Sequence, residues 1–435
     1  MGKQKVSIFW FRRDLRLEDN RGLYHALKSD YPVLPVFIFD KNILNDLSDK
    51  SDARVSFIHQ ELTEINSELK SKGTRLQTFY TKPEKAFKNL LEEYDIQQVH
   101  TNRDYEPYAT ERDLQIKELL NDGANFVTHK DQVIFEPTEV LKDNGTPYLV
   151  YTPYSKKWLS KVTEKDFELY TSGLQFENWV ATDFKEIISL KEMGFEQTNI
   201  ELPGKELRQE TIEQYTEGRN FPAKDSTSHL GIHYRFGTVS IRKMASKAAK
   251  SQENTYLKEL IWREFFMCII YHFPRVVENN YSQKYDGVRW RNNEKEFEKW
   301  KTGQTGYPLV DAGMRELNQT GFMHNRVRML VASFLTKHLL IDWKWGEAYF
   351  AEKLLDYELS SNNGNWQWSA GTGVDAQPYF RVFNPTTQID KFDKGRIYIR
   401  KWIPEFETDR YPEEMVEHKM ARERAIAEFK RGVSS

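Results

Sequence analysis

The chain has 435 residues and a formal net charge of −2, too long for one ordinary core, so two domains are expected. No apolar run approaches the ~20 residues of a membrane helix. The single cysteine, Cys268, excludes an internal disulfide and a cysteine-based zinc cluster. The charge balance argues against a surface basic all over, but not against a local basic face. The opening residues, MGKQKVSIFW, pass directly into a strand-like run with no leader pattern, so a cytoplasmic location is expected.

Residues 1–130 alternate short apolar runs with amphipathic stretches. VSIFWF (6–11), VLPVFIF (33–39), RLQTFY (75–80), QVHTN (98–102) and NFVTH (125–129) predict buried strands. SFIHQELTEINSELKSKG has the helical period and a glycine stop, and PEKAFKNLLEEY starts on a proline that a first turn tolerates. Such alternation predicts a parallel, Rossmann-like sheet with helices on both faces and ligands at the carboxyl ends of the strands. RRDLRLEDN (12–20) follows the first strand without a glycine cradle, so a dinucleotide site has no support here. Arg12, Arg13 and Arg16 are expected in a solvated loop, paired to Asp14, Glu18 and Asp19. Residues 131–204 have turn chemistry and charge, and are expected to form a long interdomain linker.

Residues 205–435 are expected to form an all-helical second domain. The 3.6-residue period runs through 255–273, 308–321, 324–343 and 345–360. Eight of the eleven tryptophans lie between Trp262 and Trp402, so this half has a particular need for indoles. Glu259, Trp262, Arg263 and Phe266 recur at helical spacing on one face. That mixture suits neither a core nor a solvated surface, and an amphipathic interface and a binding face explain it equally well. Asn325 and Met329 stand four residues apart, beside Arg326 and Arg328. Thr227, Ser228 and a glycine precede another helix, where they serve as an anion site or, more commonly, as a plain N-cap. SSNNGNWQWSAGTGVDAQPYF (360–380) sets two indoles among small residues, a pattern suited to a flat, bulky ligand.

TSHLGIHYRFGTVSIR, ELIWREFF, TGYPLVDAGMREL, MHNRVRMLVASFLTKHLLIDW, GEAYF and NNGNWQWSAGTGVDAQPYFRVFNPTTQ, with FWFRRDLRLEDN near the N-terminus, span nearly the whole chain. In these segments the sequence resembles the DNA photolyase/cryptochrome family, and within it the class I cyclobutane pyrimidine dimer photolyases. The resemblance implies an α/β antenna domain, a linker and a helical FAD-binding domain, in agreement with the pattern above.

It also implies residue roles. Tyr215, Thr227, Ser228, His229, Leu230 and Gly231 match the segment on the phosphate side of FAD, where relatives often have serine in place of Gly231. Arg263, Asp356, Tyr357 and Glu358 match the flavin edge, with Glu358 standing where many relatives have aspartate. Asn362 matches the residue that faces the reactive central-ring nitrogen; an amide does not exchange protons as an acid does. Trp262 and Trp368 match the indoles that stack on a flipped dimer, Glu259 the carboxylate that bonds its edge, and Asn325 and Met329 the residues beneath it. Trp366, Trp343 and Trp290 match a chain of indoles from flavin to surface. Arg219, Arg326, Arg328, Arg381, Gln388 and Lys391 are candidates for strand and phosphate contacts, with a solvated surface group as the alternative for each.

The implied enzyme is a metal-free, light-driven DNA-repair lyase that uses reduced FAD. The implied partner is UV-damaged DNA containing cyclobutane dimers; the implied state is a monomer without a membrane or an obligate protein partner. A second chromophore is expected, with folate, deazaflavin and flavin all open. The alternatives are a cryptochrome photoreceptor, which often carries a long tail, and a DASH-type single-strand photolyase, which tends to have tyrosine where Trp368 stands.

Overall fold

A computed structural model describes residues 2–434. The chain forms two compact units. The first comprises residues up to Glu136, with Lys161–Glu206 and Leu230–Lys250; the second comprises Pro137–Ser160, Leu207–His229 and Ser251 onward.

In the first unit, β1 (Lys5–Phe11), β2 (Val33–Asp40), β3 (Gln77–Thr81), β4 (Asp95–Asn102) and β5 (Asn125–His129) form one parallel sheet, in the order β3-β2-β1-β4-β5. Side chains alternate across a strand, and each face of this sheet has its own core. Phe9 and Phe11 of β1, with Val33, Phe37 and Phe39 of β2, pack with Leu23 and Leu62. Val6, Ile8 and Trp10, with Leu34, Val36 and Ile38, pack with Phe87 and Ile116 on the other face. Burial on both faces explains why these strands are continuous apolar runs. Trp179, Ile187, Leu190, Met193 and Phe195, from the stretch predicted as linker, join the first of these cores, and Val180 donates its N–H to the Val33 carbonyl at 2.9 Å.

The arginines after β1 differ from the expectation of a solvated loop. Arg13 and Arg16 are buried. Arg13 pairs with Asp104 and Glu106, both at 3.0 Å, and Arg16 with Asp131 at 2.6 Å. Arg12 pairs with Asp113, and Arg242 bonds both Asp19 and Asp131, at 2.9 and 2.8 Å. The strand ends bring these distant carboxylates together, so the guanidiniums are neutralised away from water rather than solvated.

The second unit is helical. Its main core gathers Trp300, Leu309, Val327, Leu335, Trp343, Phe350 and Trp366 among others. The helix Thr255–His272 agrees with the predicted period, as does Pro308–Thr320. The helix Asn325–Ser333 continues into a π-helical turn, Phe334–His338. The stretch 345–360, predicted as one helix, is two. Trp343–Lys353 ends where Leu354 turns extended, and Leu359–Ala370 begins after the extended cap residue Glu358. In the break, the Leu355 N–H donates to the Gly321 carbonyl at 2.9 Å.

Candidate active site

Four segments of the helical unit enclose a cavity of about 290 Å³. The helix 255–272 supplies Glu259, Trp262, Arg263 and Phe266; the helix 325–333 supplies Asn325, Arg328 and Met329; the break supplies Asp356, Tyr357 and Glu358; and the helix 359–370 supplies Asn362, Trp366 and Trp368. Arg219 and Phe350 complete much of the wall. Close helix approach makes this enclosure possible. A Cβ on Gly364 would lie 2.1 Å from the Phe266 ring, and one on Gly346 would lie 2.1 Å from Trp366.

Charged groups meet in pairs around the cavity. Arg263 bonds Glu358 at 3.0 Å, and Ser361 donates to the second Glu358 oxygen at 3.0 Å. Arg328 forms a fork on Asp356, at 3.1 and 2.9 Å, the two-point geometry that suits guanidinium and carboxylate. Arg263 and Asp356, both matched to the flavin edge, thus each carry a protein partner and both line the cavity. Arg219 bonds Glu259. Burial pushes the Glu259 carboxyl above the usual range, and Arg219 pulls against that shift.

Asn362 is fixed by a residue that sequence reasoning gave no role. Its side-chain nitrogen donates to the Glu347 carbonyl at 3.1 Å and to Glu347 Oε1 at 2.8 Å. A backbone carbonyl only accepts, so the amide nitrogen must face Glu347, and the amide oxygen stays available to a ligand. Burial raises the Glu347 carboxyl, and the Asn362 bond opposes that. The signal for Glu347 was present in the sequence: Trp343, Glu347 and Phe350 share a helix face, and an acid on an apolar face needs a buried partner.

Other sequence-predicted residues stand elsewhere. Trp366 and Trp343 are buried in the helical core, with Trp290 packed against that core and half-buried. The Trp343 indole donates to Asn280 at 2.8 Å. Tyr215 packs edge-on to Tyr256, and the Tyr256 hydroxyl donates to Ser228 at 2.9 Å. Thr227 meets His229 at 3.5 Å. Leu230 and Gly231 belong to the α/β unit, and Leu230, rather than Thr227 or Ser228, occupies the N-cap position of the helix Gly231–Phe236. Arg326 bonds Asn220 and lies 4.4 Å from the Phe392 ring centre. Arg381 and Lys391 are exposed, and Gln388 is half-buried.

His324 caps the helix 325–333, its Nδ1 accepting the Arg326 N–H at 3.2 Å. Burial and then the Arg328 and Arg326 charges hold this imidazole down at about 4, hence neutral.

A wall of indoles and phenyl rings, broken by guanidiniums, carboxylates and one oriented amide, suits a flat heteroaromatic ring with a polar edge. The donor set therefore fits the isoalloxazine of FAD. Known proteins agree with this chemistry. Residues 256–409 match the family model for the FAD-binding domain of DNA photolyase, and residues 7–170 match the DNA photolyase model. A deoxyribodipyrimidine photo-lyase of Agrobacterium fabrum is 35% identical, with 98% of each chain covered. Among solved structures, a bacterial class III photolyase from Agrobacterium tumefaciens superposes with a TM-score of 0.87 at 33% identity, covering 100% of this chain and 99% of that one. An archaeal photolyase from Sulfolobus tokodaii, solved with two FAD molecules, gives 0.85 at 34% identity, with 98% and 100% covered. The chain thus belongs to the DNA photolyase family and carries that family's FAD-binding domain in its helical half.

Proposed function

We propose that the protein is a light-driven DNA-repair enzyme that splits cyclobutane pyrimidine dimers in UV-damaged DNA. The observation that carries this is one cavity holding two sets of residues. Arg263, Asp356, Tyr357, Glu358 and Asn362 suit the flavin edge, while Glu259, Trp262, Asn325, Met329 and Trp368 suit a displaced pyrimidine pair. When bound, reduced FAD supplies a photoexcitable one-electron donor.

The protein's part is position and electrostatics. Arg263 and Asn362 offer a donor and an acceptor to the ring edge. Tyr215, Thr227, Ser228 and His229 lie on the phosphate side. Trp262 and Trp368 stack on the flipped bases, each such stack contributing about 1–3 kcal/mol. Glu259 accepts from the pyrimidine edge, and Asn325 and Met329 form the floor. Arg219, Arg326, Arg328, Arg381 and Gln388 meet the strand and its phosphates, which carry affinity without sequence preference. Trp366, Trp343 and Trp290 provide a path of oxidisable rings from the cavity wall to a half-buried position. The α/β unit is the antenna domain and holds a second chromophore; the two FAD molecules of the Sulfolobus tokodaii protein support that assignment.

The test uses flavin-loaded protein, chemically reduced, with duplex and single-stranded oligonucleotides that carry a thymine dimer. Near-ultraviolet or blue light should restore thymines in the duplex, and darkness should not. Intact dimers under light with fully reduced flavin would refute the proposal, and repair confined to single strands would move the protein to the DASH type. Trp290→Phe should abolish photoreduction of oxidised flavin while pre-reduced protein still repairs. An unchanged photoreduction rate rules out the indole path.

A further inference from the structure

Tyr151 opens the helix Tyr151–Lys161, and the chemistry proposed above makes no use of it. Its ring lies flat on the Trp262 indole, with centroids 3.7 Å apart and planes within 7°. Trp262 lines the cavity together with Phe266, whereas Tyr151 is buried outside the cavity wall. The tyrosine therefore backs the indole from the protein side.

Its hydroxyl donates to the Lys258 carbonyl at 2.7 Å. That carbonyl, four residues before Trp262, also accepts the Trp262 helical N–H. Ring and hydroxyl thus hold both the indole plane and the turn that bears it. Burial, and then the Glu259 charge, raise the phenol well above its ordinary range, so it remains a donor. The Tyr151 N–H, one of the donors a helix start leaves unpaired, bonds Asp375 at 3.1 Å. Asp375 lies in the loop leaving the Trp368 helix, and Gln377 of that loop returns its N–H to the Trp368 carbonyl at 3.2 Å. One residue is thereby tied to the settings of both substrate-side indoles.

We propose that Tyr151 is a positioning residue for lesion recognition, holding the Trp262 indole as a preformed platform for the displaced pyrimidines. The inference rests on reading the cavity as a photolyase site. A platform already fixed by a stacked ring loses no side-chain freedom when the base arrives.

Dark binding by flavin-loaded protein tests it, with a duplex bearing one cyclobutane thymine dimer and the same duplex undamaged. Tyr151→Leu should lose about tenfold in affinity for the damaged duplex. Its affinity for undamaged DNA and its flavin absorbance per protein should not change. Tyr151→Phe, which keeps the ring, should retain most of the discrimination. A Tyr151→Leu protein that discriminates as well as wild type would overturn the inference. So would one that loses both duplexes and flavin in equal measure, because that is general structural damage. Wild-type protein with no preference for the damaged duplex would instead overturn the assignment of the cavity, so the two failures are distinguishable.

Discussion

In the α/β unit Arg242 meets Asp131 with side chains 5% and 1% exposed, whereas in the helical unit Arg219 meets Glu259 with 28% and 31% exposed. The chemistry is the same and the surroundings differ. A guanidinium and carboxylate shut away from water depend on each other, because either one alone is an uncompensated buried charge. A pair on an open cavity wall is weak, and water or a ligand can replace either member. The first arrangement fixes a fold. The second keeps hydrogen-bonding groups in place but exchangeable, as the proposed binding of a polar ring edge and a phosphate strand requires.

The largest effect should come from breaking the buried network. Asp131 takes Arg16, Arg242 and the Arg21 N–H. Asp131→Asn should cost about 3–5 kcal/mol of stability, measured by denaturant unfolding. Burial alone would raise this carboxyl, but Arg16, Arg242 and its hydrogen bonds outweigh burial and hold it at about 2. A carboxylate lowered on folding contributes stability above its unfolded value and loses it as the pH falls towards the folded one. Wild-type protein should therefore lose stability between about pH 4 and pH 2, and the variant should lack that part of the loss. A variant as stable as wild type would show that the network is not the clamp described.

How much of this contrast the sequence carries depends on the distance to each partner. The central strands β1 and β2 were legible because both of their faces are buried, which leaves continuous apolar runs. The face carrying Glu259, Trp262 and Arg263 was legible because one helix sets it. The burial of Arg13 and Arg16 was not, since Asp104, Glu106 and Asp131 arrive from the ends of other elements, while the nearby Asp14, Glu18 and Asp19 offered a plausible local pairing. Nor was the Arg263–Glu358 pair, whose members stand 95 positions apart. The break at 354–358 kept the helical period in Leu354, Leu355 and Tyr357, and only the bond from Leu355 to Gly321 reveals it. The helix bearing Tyr151 lay among turn-forming residues, with Pro153 in its first turn, where proline is tolerated.

The cavity pair should respond differently, and its two halves differently from each other. Glu259→Ala removes the carboxylate proposed above as the acceptor for the pyrimidine edge. It should weaken binding of a dimer-bearing duplex roughly ten- to hundredfold, since a hydrogen bond to a charged group is worth ~1.5–3 kcal/mol. Thermal unfolding should move little and flavin should stay bound; loss of flavin in this variant would show that Glu259 is misplaced on the substrate side. Arg219→Ala should have the smaller, less selective effect. If Arg219 leaves Glu259 for a phosphate when DNA binds, the variant loses affinity equally for damaged and undamaged duplex. The slope of log affinity against log salt should then fall by about 0.9, as for one phosphate contact. An unchanged slope with a selective loss of damaged-duplex binding would place Arg219 with the pyrimidine-reading groups. The helical unit would then spend this guanidinium on orienting Glu259, much as the α/β unit spends Arg242 on Asp131.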